Sequence, residues 1–218
     1  SLARLTPSTV TLWTRVLNAV PDSRLKLECN CSPDIVKALF IAQGVSATRI
    51  EASERTADTQ YLFYHDIDIA LDGAPSNGGV TSLDTLWMGV PLVTLRGNAM
   101  ASRLGASFLT QLGRSDWIAD SADEFVTIAS ALAADLPALE HARQTLRPAM
   151  QASPLMNAAH FTEAFSQRLR SMWQTWCASP DAATARDAQR QHEALALCEA
   201  LMQQDPASAL QAYQMVLK

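Results

Sequence analysis

DIALDGAPSNGGVTSLDTLWMGVPLVTL, residues 68–95, reads as strand, glycine turn, helix and second strand. Ile67 to Asp72 is a short, mostly apolar run ending in an acid, the pattern of a strand buried in a parallel sheet. Asn77-Gly78-Gly79 is a turn signal. The helix that follows carries Leu83, Leu86 and Trp87 at i, i+3, i+4 and is stopped by Gly89 and Pro91, after which PLVTL reads as the second strand. Two glycines ahead of a helix N-terminus let an anion approach bare backbone N–H groups, and the helix dipole favours its charge. A tight strand-to-helix turn with no ligand is the plain alternative. Thr81 and Ser82 place hydroxyls on the first helical turn, where they can cap the helix or donate to a phosphate oxygen. Asp84, one turn on, suits the helix dipole and is also where a ribose diol would be held.

Working outward, the same alternation continues. Pro7 to Val20 reads as a helix with Leu12, Val16 and Leu17 on one face beside Trp13, and RLKLE (Arg24 to Glu28) reads as a strand. Ser32 or Pro33 opens a helix through Ala42 that Gly44 closes, and Arg49 to Ala52 is a further short strand. A helix around Asp58 to Tyr64 leads to the strand at Ile67. Beyond PLVTL, Ala99 to Leu112 reads as a helix and Trp117 to Ala119 as a short apolar step. Ser121 to Ala134, Leu136 to Met150 and Phe161 to Trp176 read as amphipathic helices, with Trp173 and Trp176 expected as core anchors. Strands alternating with helices predict an α/β fold with a parallel sheet covered on both faces. Sites in such sheets lie at the carboxyl ends of strands, where Asp72 to Gly79 falls.

Residues 178–218 have a different character. SPDAATARDAQ is linker-like, and HEALALCEALMQQDPASALQAYQMVLK reads as two helices broken at Asp205-Pro206 whose small and large apolar residues resemble a tetratricopeptide hairpin. One such unit cannot bury its own face. The expected division is therefore 1–177 and 178–218.

Composition narrows the function. The chain has 218 residues, 48% of them hydrophobic and 18% charged, a globular balance. A net charge of −5 offers no basic stripe for nucleic acid. No run is long enough to span a membrane, and the first residues show no leader pattern, so a cytoplasmic location is expected. Cys29, Cys31, Cys177 and Cys198 read as unpaired thiols, since neither the remaining cysteines nor His65, His141, His160 and His192 complete a ligand-spaced metal set. His65 reads as a helix-end residue before it reads as a catalyst. Arg103 either lines a cleft at a strand's carboxyl end or pairs with Asp123 or Glu124.

The runs YHDIDIALD, NGG-x-TS-x-D-x-LWMGVPLVTL, ASR-x-GASFL (Ala101 to Leu109) and SPL-x-N (Ser153 to Asn157) occur in order and at family-like spacing. Together they resemble the carboxy-terminal half of the O-linked N-acetylglucosamine transferases, including their bacterial TPR-containing and plant SPINDLY-type members. The resemblance covers about residues 1–177. It implies a GT-B glycosyltransferase: two Rossmann-like domains facing a cleft, the carboxy-terminal one holding the nucleotide-sugar donor.

That resemblance carries further expectations. The donor would be a nucleotide sugar, UDP-N-acetylglucosamine or the GDP-fucose of SPINDLY-type relatives, and the acceptor a protein serine or threonine. No metal or other cofactor is expected, and the chemistry is that of a charge-stabilised diphosphate leaving group. Arg4 stands at the family's lysine position as the stabiliser of that leaving group, with a planar fork in place of a point charge. Asn77, Gly78, Gly79, Val80 and Thr81 would cradle phosphate, Asp84 would hold the ribose and Gln60 could meet a base edge. The family's histidines are replaced at about Ala57 and Gln60, and its paired threonines are Val80-Thr81 here. The resemblance also implies partners: an amino-terminal GT-B half supplying the acceptor-side groups, and TPR repeats. Two other readings stand beside it, a degenerate non-catalytic scaffold module and another GT-B-like enzyme.

Overall fold

A computed structural model describes residues 5–54, 56 and 61–179, with isolated positions from 184 to 196. The chain forms two compact units, Ser1–Ala158 and Ala159–Lys218. The expected boundary after Cys177 lies within the second of these.

The first unit is an α/β fold. α1 (Pro7–Ala19) starts with Pro7 at its first turn and is capped by the Thr6 hydroxyl, which accepts from the Thr9 N–H. β1 (Leu25–Cys29) pairs in parallel with β2 (Ile50–Glu54), Leu25 opposite Ile50, and α2 (Pro33–Ile41) makes the crossover. Gly44, at φ +86°, ends that helix in a conformation glycine tolerates. After a 3₁₀ turn at Leu62–Asp66 the chain enters β3 (Ala70–Leu71), then α3 (Val80–Trp87), β4 (Leu92–Leu95), α4 (Leu104–Gln111) and β5 (Ile118–Ala119). β3, β4 and β5 form a second parallel set. α5 (Ala122–Ala134) and α6 (Leu136–Ala152) complete this unit.

The strand residues alternate between two cores, as a pleated sheet requires. Val93 packs with Trp13, Val36, Phe40 and Phe125 on one face, and its neighbour Leu92 packs with Leu86, Leu109, Trp117 and Leu146 on the other. Gly89, at φ +79°, lets the α3–β4 turn lie on α6: a Cβ there would come within 2.6 Å of the Arg143 carbonyl oxygen. Arg143 in turn donates to the carbonyls of Tyr64 (3.1 Å) and Ile67, tying α6 to the segment that enters β3.

Several expectations change in detail. The strand expected from Ile67 shortens to Ala70–Leu71, although the Asp72 N–H still bonds the Val93 carbonyl at 2.9 Å. The helix expected near Asp58 to Tyr64 appears as the 3₁₀ turn at Leu62–Asp66, with residues 57–60 outside the described residues. Ala99 to Leu112 is a 3₁₀ turn (Met100–Ser102) followed by α4, because Ser102 spends its hydroxyl on the Ala99 carbonyl and breaks the run. The apolar step at Trp117 to Ala119 contains β5, whose register is Thr94 opposite Ile118.

In the second unit, α7 (Ala158–Ala178) is a single helix without a buried residue. Trp173 and Trp176 are not core anchors: they are 62% and 40% exposed and stack on each other, ring centroids 5.1 Å apart. Periodicity reports that a helix face is apolar, and what covers that face is a separate matter. Of the described positions of the expected linker, Ser179 is a bend, whereas Thr184, Arg186, Asp187 and Gln189 are helical, in keeping with the helix propensity of an Ala- and Arg-containing run. Most of the segment read as a tetratricopeptide hairpin lies outside the described residues. No described helix is long and apolar enough to cross a membrane.

Candidate functional site

β1 pairs with β2, and β3 pairs with β4, which pairs with β5, while β1 and β3 are not bonded to one another among the described residues. Residues of β1 and of β3 line the gap between the two sets, and the carboxyl ends of parallel strands are where open α/β sheets hold ligands. A cavity of about 180 Å³ lies there, its walls including Leu5, Trp13, Leu27, Leu71, Asp72 and Gly78. The glycine turn forms one rim.

Two buried polar side chains hold the turn. Asp72, 4% exposed, accepts from the N–H groups of Gly73 (3.0 Å) and Gly78 (2.7 Å) on Oδ1 and from the Thr94 hydroxyl (2.9 Å) on Oδ2. Asn77, 2% exposed, donates to the Gly73 carbonyl at 3.0 Å and accepts from the Gly105 N–H at 3.2 Å. Gly79 then adopts φ +61°, ψ −119°, a region open to glycine and costly for other residues, and becomes the N-cap of α3. Its carbonyl accepts from the N–H groups of Ser82 and Leu83. The N–H groups of Gly79, Val80 and Thr81 donate to nothing among the described residues. Three successive donors without partners at a helix N-terminus are a donor set able to accept an anion, each bond to a charged group contributing about 1.5–3 kcal/mol.

The sequence-predicted residues divide accordingly. Gly79, Val80 and Thr81 come together as backbone donors, and the Val80 side chain is 73% exposed at the rim. Gly78 belongs to the turn, but its N–H is taken by Asp72. The Asn77 amide is spent within the chain, so it braces the turn. The Thr81 hydroxyl donates to the Gly78 carbonyl at 2.8 Å, so its proton is already committed, and Ser82 is buried. Asp84 is half-buried one turn further along α3 and its carboxylate has no hydrogen-bond or ion-pair partner among the described residues. Arg4 and Gln60 lie outside the described residues. Arg103 donates to the Gly97 carbonyl and pairs with neither Asp123 nor Glu124, of which the first meets Arg15 and the second accepts from the Asp120 N–H. His65 lies in the last turn of the 3₁₀ segment, in an exposed position.

Sequence reasoning missed the start of α1. The hydroxyls of Thr6, Ser8 and Thr9 converge on the Ala74 carbonyl oxygen at 2.8, 3.2 and 2.6 Å, and Trp13 Nε1 donates to the Asp72 carbonyl at 3.1 Å. The N-terminus of α1 is thereby pinned to the loop between β3 and α3. A Thr-Pro-Ser-Thr run predicts a helix start, but only the fold shows what its hydroxyls hold.

Comparisons with known proteins agree with this geometry. Residues 1–165 match the profile described as Glycosyl transferase family 41. A barley protein described as a probable UDP-N-acetylglucosamine–peptide N-acetylglucosaminyltransferase SPINDLY is 35% identical over 185 residues, covering 81% of this chain and 20% of the relative. The Caenorhabditis elegans UDP-N-acetylglucosamine–peptide N-acetylglucosaminyltransferase is 29% identical over 178 residues, 80% of this chain and 16% of the relative. A solved structure of a Thermobaculum terrenum O-GlcNAc transferase mutant superposes with a TM-score of 0.72 at 31% identity, over 85% of this chain and 36% of that one. The chain thus spans about a fifth of the length of the curated relatives it matches. A Rossmann-like α/β fold of the GT-B kind, shared with a solved structure at 31% identity, and a family profile over residues 1–165 lead to one assignment: this chain belongs to glycosyl transferase family 41.

Proposed function

We propose that this chain is the nucleotide-sugar-binding part of a protein O-glycosyltransferase and that its donor is UDP-N-acetylglucosamine. The observation that carries the reading is the set of three unpaired N–H groups at Gly79, Val80 and Thr81, directed from the N-terminus of α3 at the carboxyl edge of the sheet. Such a cradle recognises a diphosphate and takes up charge as the glycosidic bond to the leaving group breaks. Arg4 would add the cation. Leu5, its neighbour in sequence, lines the cavity, and Thr6 is anchored to Ala74 beside it. The unpartnered Asp84 carboxylate is available to the ribose diol. Acceptor-side groups would come from another part of a longer protein, so this chain binds donor and does not complete transfer by itself.

The test is calorimetric titration of the chain with UDP and with GDP, repeated for Arg4→Ala and Asp84→Ala. Saturable UDP binding, weakened by about tenfold or more in each variant as the loss of a charged hydrogen bond predicts, supports the reading. Absence of binding at millimolar nucleotide by a folded chain refutes it, and preference for GDP over UDP replaces the donor with a GDP-sugar. A second reading, a binding module without turnover, draws on the committed Thr81 hydroxyl and on Val80, neither of which offers a free hydroxyl to the cradle. It predicts UDP binding together with no sugar transfer by the full-length protein.

A further inference from the structure

The buried carboxylate of Asp72 has no role in the chemistry described so far. An acid close behind a phosphate cradle repels the phosphate, so its presence calls for a compensating function. Its contacts indicate one. Oδ1 bridges the Gly73 N–H at the start of the loop and the Gly78 N–H at its end, while Asn77 closes the same loop by donating to the Gly73 carbonyl. Oδ2 takes the Thr94 hydroxyl from β4. Gly105, in the first turn of α4, closes on the same carboxylate: a Cβ there would come 2.5 Å from Oδ2 and 2.4 Å from the Thr94 hydroxyl oxygen.

The consequence lies in the peptide planes that follow. With the Gly78 N–H turned inward to the acid, and Gly79 reversing the chain at φ +61°, the next three N–H groups are left without partners among the described residues. We propose that Asp72 is a positioning residue of the donor site: without touching the ligand, it fixes the glycine turn so that the N–H groups of Gly79, Val80 and Thr81 converge on the donor phosphates. This rests on the donor-binding reading above. Binding groups hold their geometry only when the residues behind them are themselves locked, and a satisfied buried polar network supplies that lock.

The role is that of an acceptor of fixed shape, so Asn should largely replace Asp, with Oδ1 still accepting from Gly73 and Gly78 and Nδ2 donating to the Thr94 oxygen. Ala should not. The experiment measures UDP affinity by calorimetry, thermal stability, and amide hydrogen exchange at Gly78 to Thr81 for the wild-type chain, Asp72→Asn, Asp72→Ala and Gly105→Ala. The last displaces the carboxylate from the α4 side and serves if Asp72→Ala does not fold. The expected result is a UDP Kd raised at least tenfold in Asp72→Ala and Gly105→Ala, remaining within about threefold in Asp72→Asn, with faster exchange at Gly78 in the first two. A folded Asp72→Ala or Gly105→Ala that melts lower yet binds UDP as tightly as wild type makes the acid merely structural and overturns the proposal. If the wild-type chain binds no UDP, the donor reading fails. The exchange data still judge the brace: unchanged Gly78 exchange in the ligand-free variants overturns it, and faster exchange confined to Gly78–Thr81 upholds Asp72 as the group that orders the turn.

Discussion

Gly78 and Gly79 are adjacent and alike in sequence, yet the fold requires glycine at each for a different reason, and replacing them separately exposes the difference. At Gly79 there is room for a side chain, the nearest atom to an added Cβ being Leu104 Cδ1 at an ordinary 3.9 Å, but φ +61° with ψ −119° strains any L-residue. That strain costs about 1–3 kcal/mol. Alanine returns about 0.4–1 kcal/mol by restricting the unfolded chain. A net loss of roughly 1–2 kcal/mol lowers the melting temperature of a domain of this size by about 2–8 °C. At Gly78 no φ penalty arises, and the obstacle is the Ser82 hydroxyl oxygen, 2.2 Å from an added Cβ, with Thr81 Oγ1 at 2.8 Å. Thermal unfolding of Gly79→Ala, Gly78→Ala and each combined with Ser82→Ala separates the cases. Trimming Ser82 should restore much of the stability lost in Gly78→Ala and none of that lost in Gly79→Ala. If Gly79→Ala melts within 1 °C of wild type, or Ser82→Ala rescues it, the claim that backbone conformation demands this glycine fails.

Two further outcomes are expected. Arg143→Met keeps the aliphatic stem but removes the charged donor from the Tyr64 and Ile67 carbonyls. It should lower stability by about 2 kcal/mol in urea unfolding, and an unchanged midpoint would show that water serves those carbonyls equally well. Lys26 meets Asp66 at 2.6 Å, which holds the Asp66 carboxyl below its ordinary pKa of 3.8 and the Lys26 ammonium above its ordinary 10.5. The aspartate's contribution is therefore present above its unfolded pKa and lost as pH falls through the folded value. The lysine's is present below 10.5 and lost as pH rises through its folded value. Both groups reach solvent, so the effect is small and salt-sensitive. Lys26→Met should flatten the acid limb of the stability curve near pH 3–4, and a limb as steep as that of wild type would discount the pair.

Much of this protein is legible from local pattern. The strand, turn, helix, strand order of residues 68–95, the capped start of α1 and the glycine stops at Gly44 and Gly89 follow from period, caps and breakers, which depend on residues a few positions apart. The glycine turn ahead of α3 was legible because a glycine pair before a helix shapes the backbone locally, and Gly79 does adopt a positive φ as the helix N-cap. The roles of individual side chains were not legible. Asp72 looked like the end of a strand until Thr94, 22 residues away, and Gly105 closed around it, and Asn77 looked like a ligand contact until Gly105, 28 residues away, took its oxygen. Trp173 and Trp176 carried a correct signal of an apolar face, but burial depends on a second surface that a single helix does not specify. The sequence by itself determined the alternating α/β order, the parallel pairing of the strands and the glycine turn at the start of α3, because propensity and periodicity act over a few residues. Only the tertiary structure decided which N–H groups remain free, since a donor is free only when no group from elsewhere in the chain has been folded against it.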